Sequence, residues 1–121
     1  MIKAMILAAA ALTMSTTTVD AQTMIQKNEI KVENHLMTPE ALWAMGRIGA
    51  AEASPNGKQI VYQVGYYSVK ENKGHQMLFV MDANGKNKKA LTTDAKSESD
   101  AAWIVGGQKI AFLREGQLWS M

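Results

Sequence analysis

Two histidines, His35 and His75, are the residues in this 121-residue chain best suited to move protons near neutral pH. Serine-type nucleophilic catalysis needs such a ring held rigidly against a hydroxyl and oriented by a carboxylate. His35 falls in the polar run "QKNEIKVENH" and His75 in the loop reading "YSVKENKGHQ", so both are expected to be solvated loop residues. No Gly-x-Ser-x-Gly elbow is present. The stretch "DANGKN" opens like a calcium loop, with Asp82, Asn84 and Gly85 in place. Its twelfth position is Thr93 rather than Glu, and its flanks read as strands, so a tight turn is expected. Glu40, just behind Thr38-Pro39, fits a helix start better than an acid–base role. Tyr66 and Tyr67 read as strand-end packing, with the edge of a substrate passage as the alternative. "GKNKK" reads as a solvated basic turn, and the nine methionines, split between the N-terminal segment and the strands, form no binding stripe. The chain is therefore expected to carry no catalytic, cofactor-binding or metal-binding residue.

Composition bounds the partners. Hydrophobic residues make up 47% and charged residues 20%, an ordinary globular balance. A net charge of +2 does not point to nucleic acid or a membrane surface. With no cysteine, a disulfide framework and thiolate-bound metal are excluded.

The N-terminus speaks to destination. "MIKAMILAAAALTMSTTTVDAQ" places Lys3 ahead of an apolar stretch from Ala4 to about Met14, then Ser and Thr, then Val19-Asp20-Ala21. That order predicts a secretory signal peptide over 1–21, cleaved after Ala21. The apolar run is about half the roughly 20 residues a membrane span requires. Export to the periplasm or beyond is the expectation, with no span left after cleavage.

Residues 22–37 form a polar lead-in, in which Ile30 and Val32 give a weak strand signal. Residues 38–46 predict a short helix: Thr38 as N-cap, Pro39 at the first position, Glu40 near the positive end. Leu42 and Trp43 should pack it down, and Gly46 should stop it.

Beyond Gly49, turns divide short strands. Ala51–Ala53, Gln59–Tyr66, Met77–Met81 and Lys89–Thr92 predict a four-stranded meander over 50–93. Its turns are Ser54-Pro55-Asn56-Gly57 and "DANGKN". The pattern then restarts over 99–121. Asp100–Ile104 matches the first strand, and Val105-Gly106-Gly107-Gln108 overlies Pro55-Asn56-Gly57-Lys58. Ile110-Ala111-Phe112 overlies Ile60-Val61-Tyr62 at an offset of 50. Leu118-Trp119-Ser120-Met121 overlies Leu78-Phe79-Val80-Met81 at an offset of 40, with Arg114-Glu115-Gly116 as the intervening turn.

A 40–50-residue repeat of four antiparallel strands is the period of a β-propeller blade. The runs "IVY", "MLFVM" and "IAFL" are apolar on both faces, as in blades covered on both sides. The expected fold is all-β: one full blade and most of a second in an incomplete propeller. A small β-sandwich is the alternative. Baring two sheet faces would cost on the order of 10 kcal/mol at about 25 cal/mol/Å², comparable to a whole domain's stability. The sequence is accordingly expected to be the leading piece of a longer protein.

The stretch "SPNGKQIVY…LFVMDANGKNKKALT…AAWIVGGQKIAF…GQLWSM" resembles the propeller repeat of TolB-like periplasmic proteins and of the prolyl oligopeptidase family. Asn56 stands where that repeat commonly has Asp, and Val105-Gly106-Gly107 departs further. The lead-in "MTPEALWAMGRIGAAEASPNGKQIVYQVGYYSVKENKGHQMLFVMDANGKN" is similar to the mature start of exported serine dipeptidyl-peptidases, the dipeptidyl-peptidase 5-like branch of Bacteroidetes type. That resemblance implies a propeller that gates short peptides and a C-terminal α/β-hydrolase domain, absent here, that carries Ser, His and Asp. It also implies a peptide substrate reached through that domain, no cofactor, and a homodimer of the full-length protein. A TolB-like propeller that binds partners without chemistry is the alternative.

Overall fold

The computed structural model describes residues 25–27 and 29–121; the signal peptide expected over 1–21 lies outside them. Among the described residues no helix is long and apolar enough to cross a membrane. The lead-in forms no strand at Ile30 or Val32, and its single turn of 3-10 helix spans Glu33–His35.

Helix α1 spans Pro39–Ala44. The Thr38 hydroxyl accepts from the Ala41 N–H at 3.1 Å, meeting one of the donors a helix start leaves unpaired. Packing differs from the expectation. Ala41 is the buried residue, while Leu42 and Trp43 stay 49% and 42% exposed. Trp43 instead lies against Tyr67, ring centroids 4.9 Å apart, with the Arg47 guanidinium 4.8 Å from its own ring centre. Gly46 does not stop the helix by a left-handed turn. It is required because a Cβ there would come within 2.9 Å of both Val64 and Tyr66.

Two antiparallel sheets follow. The first is β1 (Arg47–Ala53), β2 (Gln59–Ser68), β3 (Lys73–Asp82) and β4 (Lys89–Ala90), in order β1-β2-β3-β4. The second is β5 (Glu98–Ile104), β6 (Lys109–Arg114) and β7 (Gln117–Ser120), in order β5-β6-β7. This is the all-β meander expected, one four-stranded unit and three strands of another. The strands β1, β2, β3 and β5 run longer than predicted, and β4 is shorter. The expected loop 67–76 shrinks to the four residues 69–72 between β2 and β3. Polar Gln76, Lys73 and Ser68 pair in the ladder, where backbone hydrogen bonding outweighs their weak strand propensity.

The two sheets pair in similar register. Ala53 pairs with Ile60 and Trp103 with Ile110; Glu52 pairs with Val61 and Ala102 with Ala111. The bulge between Ile48 and Ala51 has a counterpart between Ser99 and Ala102, one residue farther along than the offset of 50. Tyr62 pairs with Phe79 and Phe112 with Trp119, preserving the offset of 40 on the second hairpin. The turns are built differently. At the first, Gly57 has φ +70° and its N–H bonds the Ser54 carbonyl at 2.8 Å. Asn56 Oδ1 accepts from the Ser54 hydroxyl at 2.7 Å and the Lys58 N–H at 3.0 Å, so an amide oxygen fills the acceptor role of the commoner Asp. The second turn is a 3-10 turn over Val105–Gly107.

Most of the core lies between the sheets; Ala41 of α1 and the paired Val64 and Met77, on the first sheet's other face, are buried as well. Side chains alternate along each strand, so Glu52, Val61, Gln63, Leu78 and Val80 share one face of the first sheet. Across from them stand Trp103, Ile110 and Phe112. Val61, Leu78, Val80, Ile110 and Phe112 are all buried. A fully buried side chain of this kind contributes about 1.5–3 kcal/mol.

Candidate functional site

The residues that drew attention as chemistry do not converge. His35 sits in the exposed turn Glu33–His35. His75 is not a solvated loop residue: it lies within β3 and is 4% exposed. Its Nδ1 is 2.9 Å from the Ile25 carbonyl oxygen and its Nε2 is 3.2 Å from that of Lys96. Neither nitrogen faces a hydroxyl, so His75 is not poised as a base for a nucleophile. Ser54 is spent on its own turn, donating to Asn56 and accepting from the Gln59 N–H at 3.0 Å.

"DANGKN" is a hairpin turn. Asp82 Oδ2 accepts from Asn87 Nδ2 at 2.6 Å, and Asn84 Oδ1 accepts from the Lys86 N–H at 2.9 Å. Glu40 stands in the first turn of α1. The Tyr67 hydroxyl donates to Asn72 Oδ1 across the end of the β2–β3 hairpin. Tyr66 is partly buried, and desolvation first, then neighbouring Tyr62, pushes its phenol above its ordinary value. Both tyrosines serve strand-end packing here.

A cluster not singled out from the sequence lies between the sheets. Glu98, at the head of β5, is 1% exposed. Arg114 of β6 stands opposite it in the ladder and donates to Glu98 Oε1 from both Nε, at 2.9 Å, and Nη2. The Thr92 hydroxyl donates to Glu98 Oε2. The same guanidinium reaches Asp94 Oδ2 at 3.3 Å and lies 4.9 Å from the Trp119 ring centre. Outside it, Lys96 Nζ contacts Glu115 at 2.7 Å, and that bond raises the lysine above its usual value. A carboxylate engaged this fully, by a forked Arg and a hydroxyl, has no role as a free base. It ties the linker carrying Thr92 and Asp94 to the second sheet. The sequence signal was the repeat itself: an offset of 50 carries Ile48 and Val64 onto Glu98 and Arg114, an apolar pair replaced by an ionic one.

Further polar contacts fix how the sheets face each other. Trp103 donates from its indole nitrogen to the Glu52 carbonyl at 3.1 Å and from its backbone to Glu52 Oε2 at 3.2 Å. Gln63 bridges, donating to Gln76 Oε1 at 3.0 Å and accepting from the Asp100 N–H at 3.3 Å. The arrangement is an interface between two like sheets.

No family model matches the chain. The protein named Dipeptidyl-peptidase 5 of Porphyromonas endodontalis is 41% identical to it over 88 residues, taking in 71% of this chain and 13% of that protein. The Dipeptidyl-peptidase 5 of Porphyromonas gingivalis is 35% identical over 77 residues, 64% of this chain and 11% of that protein. The chain is homologous to part of dipeptidyl-peptidase 5. Its match thus spans only about an eighth of the relatives' length.

Proposed function

We propose that this chain is the leading part of an exported serine dipeptidyl-peptidase, contributing one complete propeller blade and three strands of the next. The observation that carries this is the 41% identity over 88 residues to a protein named Dipeptidyl-peptidase 5, of which the match spans 13%. The repeated register of the two sheets supports a propeller, since each sheet presents to its neighbour the face a further copy would use. The signal-like residues 1–21 support export. On this reading the chain performs no hydrolysis itself. A hydrolase domain farther along the polypeptide supplies the serine nucleophile, its histidine base and the orienting aspartate, and these blades wall the approach for short peptides.

The reading frame beyond residue 121 tests it. A Gly-x-Ser-x-Gly elbow followed by Asp and then His supports the peptidase. Further blades and then a stop would replace it with a TolB-like binding propeller. The complete product should release dipeptides from a chromogenic peptide and lose that activity to a serine-directed inhibitor. Activity that survives the inhibitor refutes the mechanism.

A further inference from the structure

Two like sheets on one chain can pack in two ways. The junction sets one face of the first sheet against the opposite face of the second, so the second sheet of another copy fits there as well as the chain's own. The apolar residues of the junction, Val61, Leu78, Val80, Ile110 and Phe112, are buried by a non-directional force that does not tell the two apart. The linker 91–97 does tell them apart. It folds back when both sheets belong to one chain, and it must straighten to send the second sheet to a neighbour.

That linker is gripped from both sides. On the first sheet, the Leu91 N–H donates to the Leu78 carbonyl at 2.8 Å, and Ser97 Oγ accepts from the Gln76 N–H at 3.1 Å. On the second, the Thr92 hydroxyl donates to buried Glu98, and Asp94 Oδ2 lies 3.3 Å from Arg114 Nη1. The two grips on the second sheet are directional, and both are lost if residues 92–94 straighten. The exposed pair of Lys96 and Glu115 adds little. The first sheet, which α1 precedes, has apolar Ile48 and Val64 paired at the places of Glu98 and Arg114. A buried ion pair gains little over an apolar pair of like volume, yet it penalises any arrangement that strips one of its partners. We infer that Thr92, Asp94, Glu98 and Arg114 form a latch that holds the linker folded back. The latch commits the second sheet to its own chain and opposes exchange with a second copy. It rests on the two sheets and not on the peptidase reading.

The test uses the complete product of the reading frame, so nothing depends on residues 1–121 folding alone. Unlabelled and nitrogen-15-labelled copies are unfolded together, mixed equally and refolded. Lys58 and Lys109 are exposed and follow adjoining turns, since a Cβ on Gly107 would come within 3.0 Å of Pro55. A lysine-reactive crosslinker joining them gives a peptide pair of one isotope when both sheets belong to one chain. It gives a mixed pair when the sheets have been exchanged. Mixed pairs should be rare in the unmutated product. Thr92→Val with Asp94→Ala leaves Glu98 and Arg114 paired and should raise the mixed fraction about tenfold, the equivalent of one lost hydrogen bond to a charged group. Thr92→Ser, which keeps the hydroxyl, should leave it low. Glu98→Ile with Arg114→Val supplies the first sheet's own pair, and it should fold yet exchange as the linker variant does. An unchanged mixed fraction in both double variants overturns the latch. So do frequent mixed pairs in the unmutated product, or an equal rise in Thr92→Ser.

Discussion

Leu78 and Leu118 hold equivalent places in the two sheets, yet Leu78 is 0% exposed and Leu118 is 76% exposed. The same contrast runs through the register. Phe112, 3% exposed and pressed toward the first sheet, is the counterpart of Tyr62, which lies half-buried on the first sheet's opposite face, stacked on Phe79 at 5.6 Å. Each open face therefore has a twin that is buried in the interface the two sheets already share. The difference teaches that exposure here follows position in a stack, not residue type. The junction is heterologous, one face of a unit meeting the other face of the next, and it leaves one face of each sheet free to meet a further like unit.

The largest expected effect is on the buried ion pair. Glu98→Ala strands Arg114 and Thr92 between the sheets and should destabilise the packing of the two sheets by about 3–5 kcal/mol in denaturant titrations. Replacing both Glu98 and Arg114 with apolar residues should recover most of that loss, as expected of a site whose counterparts are Ile48 and Val64. Leu78→Ala comes next, at about 2–5 kcal/mol. In this chain alone Leu118→Ala should leave the midpoint of its weak transition unmoved, because nothing covers it. A similar cost for the two leucines in the isolated chain would break the comparison.

Gly46→Ala is a smaller change with a different cause. The new methyl must displace Val64 and Tyr66, at about 1–3 kcal/mol by thermal or chemical denaturation. The smallest effect is alkaline. Tyr66 keeps its proton in the fold to a higher pH than in the unfolded chain, where phenols titrate near about 10. The stability this represents is complete below that value and is lost as pH rises through the folded value. Lys96 acts in the same direction through Glu115, but an ion pair this open to solvent makes a negligible share. Denaturation midpoints should fall modestly above about pH 10, and Tyr66→Phe should remove most of the fall.

Much of this architecture was legible in the residues. The offsets of 50 and 40 emerged because Ser54–Gly57 and Gly106-Gly107 punctuate similar apolar runs, and pairing then fixes register. The environments of His75 and Glu98 were not legible. His75 follows the polar run "SVKENKG", which reads as a loop. It enters a strand because β2 and β3 continue pairing past their apolar centres, and it is buried by segments 50 and 21 residues away. Glu98 is buried through Arg114, sixteen residues on, across a bulged ladder. Gly46 read as a helix stop because local rules favour that role; the close approach of Val64 is tertiary and leaves no local trace.

The most direct test of the central claim, that these two sheets need like neighbours on their outer faces, is calorimetry of this chain beside the full-length product, with monomer state set by sedimentation. The account predicts a cooperative transition for the full-length product. For the chain alone it predicts association or a broad, weak transition with apolar dye bound. A sharp two-state melt of the chain as a dye-free monomer would contradict it.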